Sequence, residues 1–129
     1  RVVGTLTDLD AVLTAHPERA GRLSRLTASD LTERRERLGD DLQLVDVRNP
    51  GEVEAAPVDG AVTIPLARLR VRLDELDPAR PVVAVCAGGT RSAIASTVLT
   101  AAGFADVSDV LGGAAALGAG GDCALDPPR

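Results

Sequence analysis

The chain has 129 residues, a formal charge of -5 and a pI near 4.8: enough for one compact domain with a single site, and too short for two enzyme domains. Its basic residues, all arginine, are interleaved with Asp and Glu, which argues against nucleic acid. No apolar run approaches the roughly 20 residues that span a bilayer, and no basic flank leads into an apolar signal core, so a cytoplasmic protein without membrane partners is expected. In chain order, Leu6, Leu9, Val12 and Leu13 show helical spacing up to His16-Pro17, and residues 1–22 read as a connector or docking arm. Residues 23–26 suit a short strand, followed by a helix capped at Thr27 or Ser29 and stopped at Gly39. Residues 42–47 form a stronger strand, and Asn49-Pro50-Gly51-Glu52 is turn chemistry that opens a brief helix. Residues 62–64 predict a third strand closed by Pro65, and Leu66, Leu69, Leu73 and Leu76 predict a helix with Arg68, Arg70 and Arg72 solvated between them. Residues 82–85 are apolar throughout, the pattern of a central parallel strand, and a helix over 91–102 ends at Gly103. Residues 106–111 give the last strand before Gly112-Gly113 and a short Ala-rich helix. The Gly-rich stretch and Asp126-Pro127-Pro128 in 119–129 read as a flexible tail, leaving 23–118 as the folded domain.

This alternation predicts an α/β fold, with a mostly parallel sheet of about five strands, helices on both faces and ligands at the carboxyl ends of the strands. Cys86 occupies such an end and opens the loop Cys86-Ala87-Gly88-Gly89-Thr90-Arg91-Ser92, which runs straight into a helix. A thiol there faces the free N–H groups and positive dipole end of that helix, so thiolate is favoured. Gly88 and Gly89 allow amides to curl inward around an anion, and Arg91 supplies a permanently charged fork beside a dipole end that itself disfavours a cation. Thr90 and Ser92 either donate hydroxyls to the sulfur or cap the helix. Asp46 and Arg48 sit at the neighbouring strand end, where an ion pair that fixes the loop is expected. Cys123 falls in the tail, where it reads as an incidental thiol or a resolving partner, and His16 reads as a loop residue. Two cysteines and one histidine make no disulfide scaffold and match no zinc spacing. The absence of Met predicts that these residues belong to a longer protein.

Over about residues 23–117 the chain resembles the rhodanese homology domain, a three-layer sulfurtransferase fold. Four blocks carry the resemblance: Leu44-Val45-Asp46-Val47-Arg48-Asn49 with Glu52; Gly60-Ala61-Val62-Thr63-Ile64-Pro65-Leu66; the Cys86 loop; and Gly103-Phe104 with Leu111-Gly112-Gly113. The resemblance implies that Cys86 takes a sulfane sulfur from thiosulfate or a persulfide, holds it as a covalent cysteine persulfide and passes it to a thiophilic acceptor. The acceptor would be a low-molecular-weight or protein thiol, with no metal and no other cofactor. Ala87, Gly88, Gly89, Thr90, Arg91 and Ser92 would cradle the transferred sulfur and a small sulfur-containing anion. The N-terminal segment with Asp46-Val47-Arg48-Asn49-Pro50-Gly51-Glu52 is also similar to the C-terminal rhodanese module of metallo-beta-lactamase-fold/rhodanese fusion proteins, which implies a fused or associated partner domain of that fold.

Val53, Ala56-Pro57 and Leu117 stand where the family often carries an aromatic, a Gly-His pair and a Trp. Ala87 replaces an arginine frequent in thiosulfate users, and so lowers the local positive potential. A persulfide or protein-bound donor is therefore favoured over thiosulfate. The alternatives are a noncatalytic interaction or regulatory module and, less favoured, a Cys-dependent phosphatase, whose loop is one residue longer, or an arsenate reductase.

Overall fold

The computed structural model describes residues 4–5 and 7–118; Cys123, the tail 119–129 and part of the N-terminal arm lie outside these. Helix α1 (Leu9–Ala15) is capped by Asp8, whose side chain accepts the Ala11 N–H, and buries none of its residues. Strand β1 (Ser24–Leu26) leads into α2 (Ala28–Leu38) through a reciprocal cap. Thr27 Oγ1 accepts the Asp30 N–H at 3.1 Å, and Asp30 Oδ2 accepts the Thr27 N–H at 2.8 Å. Strand β2 (Gln43–Asp46) is followed by α3 (Pro50–Ala55), where Pro50 starts the helix and Glu52 Oε2 accepts the Asn49 N–H at 3.0 Å. Then come β3 (Ala61–Thr63), α4 (Leu66–Leu69), β4 (Val82–Val85), α5 (Thr90–Ala101), β5 (Val107–Val110) and α6 (Gly113–Gly118).

All five strands are parallel, in the order β1-β5-β4-β2-β3. Strand β4 lies at the centre, and each of its residues is buried, as its unbroken apolar run requires. Alternation along β4 divides the core. Val82, Ala84 and Cys86 pack with Val45, Val47, Ile64, Leu69, Ala95 and Leu99 on the α4/α5 face. Val83 and Val85 pack with Leu31, Leu44 and Val110, against Ala114 and Leu117, on the α2/α6 face. Cys86 thus continues the inward alternation of the central strand and emerges at its carboxyl end beneath α5. Among the described residues no helix is long and apolar enough to cross a membrane.

The chain departs from expectation between residues 66 and 76. The four leucines do not lie on one α-helix: α4 stops at Leu69, and a 3₁₀ turn covers Leu73–Glu75. Backbone bonds here span three residues, as in Val71 N–H to Arg68 C=O and Leu76 N–H to Leu73 C=O. Leu66/Leu69 and Leu73/Leu76 are each spaced by three, so tight turns stack each pair toward the core while Val71 between them stays exposed. Arg72 is not merely solvated; it pairs with Glu75, and its Nη1 lies 3.4 Å from the Thr63 carbonyl oxygen.

Candidate active site around Cys86

The loop after β4 wraps its own sulfur. Gly89 takes a φ of 104°, a conformation open to glycine, and this turns its N–H back onto Cys86 Sγ at 3.1 Å. Ser92, in the first turn of α5, puts Oγ 3.5 Å from Sγ and 3.1 Å from the Gly89 carbonyl oxygen. Cys86 is 1% exposed. Burial pushes its thiol up, but the Ser92 hydroxyl and the N–H groups of Ser92, Gly89 and Gly88 outweigh that, and the thiol ends below its ordinary value. Ala87, Gly88 and Thr90 are exposed and form the outer lip of the loop.

The loop is locked from behind by the start of α6. Ala114 N–H donates to the Cys86 carbonyl at 2.7 Å, and a Cβ added at Gly113 would lie 2.2 Å from that oxygen and 2.5 Å from the Ala87 oxygen. Gly113 also has a φ of 60°. Gly113→Ala is therefore expected to cost about 2 kcal/mol or more and to displace the loop. Thermal unfolding together with the Cys86 alkylation rate checks this; an unchanged melting temperature and rate would contradict the packing described.

The arginines nearest the sulfur, Arg91, Arg48 and Arg25, each pair with a carboxylate. Arg91 Nη1 and Nη2 grip Glu52 Oε2 and Oε1 of α3 at 2.7 and 2.6 Å. The anion that a cation at this helix start calls for is thus supplied within the chain. Arg91 holds Glu52 well below its ordinary 4.5, at about 2, helped by the Asn49 N–H. The pair's contribution is thus complete above the ordinary carboxylate value, falls progressively below it and is gone once pH has dropped through about 2. Arg48, 4% exposed, lies over the unexposed Asp46: Nε is 3.0 Å from both carboxylate oxygens and Nη2 is 2.6 Å from Oδ2, with a further bond from Nη2 to the Ala56 carbonyl at 2.8 Å. This pair braces the chain after β2, where Asp46 aligns with Val85 in the sheet.

Two more charged residues reach the site. Asp109 of β5 is unexposed, accepts from Arg25 of β1 at 3.0 and 2.9 Å, and lies 3.3 Å from Ser92 Oγ. Sequence reasoning assigned neither residue a role. An aspartate inside the otherwise uncharged strand Val107–Val110 was the available signal, since a carboxylate there is buried unless the strand lies at an edge. Beside the loop a cavity of about 650 Å³ has a mainly apolar wall that includes Leu31, Val58, Ala87, Ala114 and Leu117, with Arg35 and Arg48 at its polar side. Ala87, not the sulfur itself, contributes to that wall.

A parallel α/β sheet whose central strand ends in an amide-wrapped cysteine defines the class, and residues 27–119 match the family model described as a rhodanese-like domain. The chain belongs to that family. It is 34% identical over 80 residues to a sulfurtransferase of Allochromatium vinosum, a match covering 60% of this chain and 75% of that one. It is 37% identical over 71 residues to the uncharacterized protein YqhL of Bacillus subtilis, covering 55% of this chain and 56% of the relative. It is also 35% identical over 72 residues to the putative sulfur carrier protein YrkF of the same organism, covering 56% of this chain and 39% of YrkF. The chain therefore spans little more than half of YqhL and less than half of YrkF. Among solved structures, a rhodanese-like domain protein from Staphylococcus aureus superposes with a TM-score of 0.67 at 29% identity, covering 83% of this chain and all of that one.

Proposed function

We propose that this domain is a sulfurtransferase whose Cys86 thiolate carries a sulfane sulfur between two thiols. The observation that carries this reading is the sulfur's surroundings: a buried thiol held below its ordinary pKa by inward-facing amides and the Ser92 hydroxyl. Such a cup stabilises a thiolate and, equally, the anion of a persulfide. In the first half-reaction Cys86 Sγ attacks the outer sulfur of a donor RS–SH. The S–S bond breaks, its electron pair leaves as RS⁻, and the sulfane sulfur stays on Cys86. In the second half-reaction an acceptor thiolate R′S⁻ attacks that outer sulfur, the Cys86 S–S bond breaks, and Cys86 returns as thiolate with R′S–SH released. Electrons balance over the cycle without an outside oxidant or reductant.

Charge bookkeeping favours a persulfide donor over thiosulfate. Arg91, Arg48 and Arg25 each face a carboxylate, so a dianion entering the loop meets ion pairs and not free cations. The mainly apolar cavity beside Ala87 gives the body of a thiol carrier, small or protein-borne, a place to lie. In this reading Ala87, Gly88 and Thr90 form the entrance, Gly89 and Ser92 hold the sulfur, Arg91 orients the donor while shared with Glu52, and Asp46 with Arg48 keeps the neighbouring strand end rigid.

Glu52→Gln tests the charge argument, because glutamine removes the carboxylate charge while its amide oxygen can still accept the Asn49 N–H. Releasing Arg91 is expected to lower KM for thiosulfate about three- to tenfold and to change kcat/KM for glutathione persulfide less. Steady-state transfer to a thiol with each donor reads this out, and an unchanged thiosulfate KM would sink the donor preference. A second reading, a regulatory module without turnover, draws support from the 43% identity over 63 residues to the HTH-type transcriptional regulator Rv0324 of Mycobacterium tuberculosis, of which the match covers 27%. Transfer above background by the wild-type chain separates the two.

A further inference from the structure

Arg25 and Asp109 form a charged pair that the transfer steps do not use. They face each other across β1 and β5, in register in the sheet. The Arg25 guanidinium grips the unexposed Asp109 carboxylate through Nε to Oδ1 at 3.0 Å and Nη2 to Oδ2 at 2.9 Å. On its other side Oδ2 lies 3.3 Å from Ser92 Oγ, the hydroxyl 3.5 Å from Cys86 Sγ. Arg25 Nη2 also lies 3.4 Å from the carbonyl oxygen of Gly89, the residue whose N–H donates to the sulfur. The pair therefore touches two of the residues that hold Sγ, Ser92 through its hydroxyl and Gly89 through its carbonyl.

Ser92 has one hydroxyl proton and three acceptors in reach: the Gly89 carbonyl at 3.1 Å, Asp109 Oδ2 at 3.3 Å and the sulfur at 3.5 Å. A bare carboxylate would draw that proton away from the sulfur and repel a thiolate. A carboxylate shared with a guanidinium competes less and repels less. We propose that Arg25 and Asp109 are positioning residues of the Cys86 site, whose ion pair aims the Ser92 hydroxyl and sets through its charge balance how readily the thiol ionises. The proposal concerns ionisation of Cys86 and stands apart from what the thiolate is used for. Arg25 responds in turn: its guanidinium is held above its ordinary value by the bond to Asp109 foremost, and also by the charge of Cys86.

The other charged groups around the sulfur are Arg91 of α5, paired with Glu52 of α3, and Asp46 with Arg48 beside the end of β2. Residues 113–118 of α6 carry none. Each of these pairs is left intact by changes at positions 25 and 109, so opposite changes there isolate the proposed pair.

The test is the pH dependence of Cys86 alkylation by iodoacetamide, followed by peptide mass mapping so that Cys123 does not contribute, on the whole chain. Arg25→Met leaves the carboxylate unpartnered and is expected to cut the thiolate fraction near neutral pH at least about threefold, raising the apparent pKa. Asp109→Asn leaves the cation in excess and is expected to raise that fraction at least about threefold. Arg25→Lys keeps the charge and should lie within about twofold of wild type. A merely structural role lowers the melting temperature but does not drive the two profiles in opposite directions. Shifts of the same sign, or none in folded protein, overturn the proposal. If Asp109→Asn fails to fold, the Arg25→Met and Arg25→Lys pair decides: identical profiles overturn it, and a Met shift that Lys restores supports it. Sulfur loading of the wild-type chain is scored separately, so the loss of the transfer reading would not be mistaken for the loss of this one.

Discussion

Cys86→Ser is expected to reduce sulfur transfer by at least about a thousandfold, to the background rate of donor and acceptor alone. The substitution replaces Sγ by an oxygen that stays protonated near neutral pH and forms no persulfide. The fold should survive. Serine is slightly smaller, its hydroxyl can accept the Gly89 N–H that the sulfur accepts at 3.1 Å, and the neighbouring Ser92 Oγ remains available as a partner. A residue in the apolar cluster with Val45, Ala84 and Ala95 does lose some packing on becoming polar, so a cost of about 1 kcal/mol is expected. Activity assays and thermal unfolding on the same samples check both halves. Residual transfer above a few per cent would place the reacting sulfur elsewhere in the chain.

Asp46→Ala is the substitution expected to damage stability most. It strands the Arg48 guanidinium, whose side chain is only 5% exposed, with a single bond to the Ala56 carbonyl. It also removes the acceptor of the Arg48 backbone N–H, which lies 3.0 Å from Asp46 Oδ1. Removing one partner of a buried pair costs about 3–5 kcal/mol, a large part of the roughly 5–15 kcal/mol that holds a domain folded. A fall in melting temperature on the order of 10 °C or more should follow. Adding Arg48→Met should recover most of the loss, because the stranded charge and not the missing contact carries the penalty. Thermal melts of the single and double variants check this, and a single-variant loss under about 3 °C would show that Arg48 finds water when its partner goes.

The fold was legible because its signals are local. The apolar run of residues 82–85 marked the central strand, a cap at Thr27 or Ser29 and a stop at Gly39 marked both ends of α2, and Gly103 marked the end of α5. Placing Cys86 at the carboxyl end of that strand followed from the same pattern. The four leucines from 66 to 76 misled because a spacing of three within each pair serves a 3₁₀ turn as well as a helix, and only the sheet beneath decides between them. Partners distant in sequence were the illegible part. Glu52 meets Arg91, and Asp109 meets Arg25, only after the parallel sheet and α5 bring separate strand and helix ends together. An arginine at a helix start signalled that an anion was needed. It did not signal that the chain itself supplies the anion, and that pairing adds to the preference for a persulfide donor that Ala87 already suggested.

The most direct test of the account is the intact mass of the wild-type chain after brief incubation with glutathione persulfide and removal of excess donor. The account predicts a gain of one sulfur, about 32 Da, located on the Cys86 peptide, absent from Cys86→Ser, and discharged when an acceptor thiol is added. An unchanged mass in folded protein with reduced Cys86, or a gain that persists in Cys86→Ser, would contradict it.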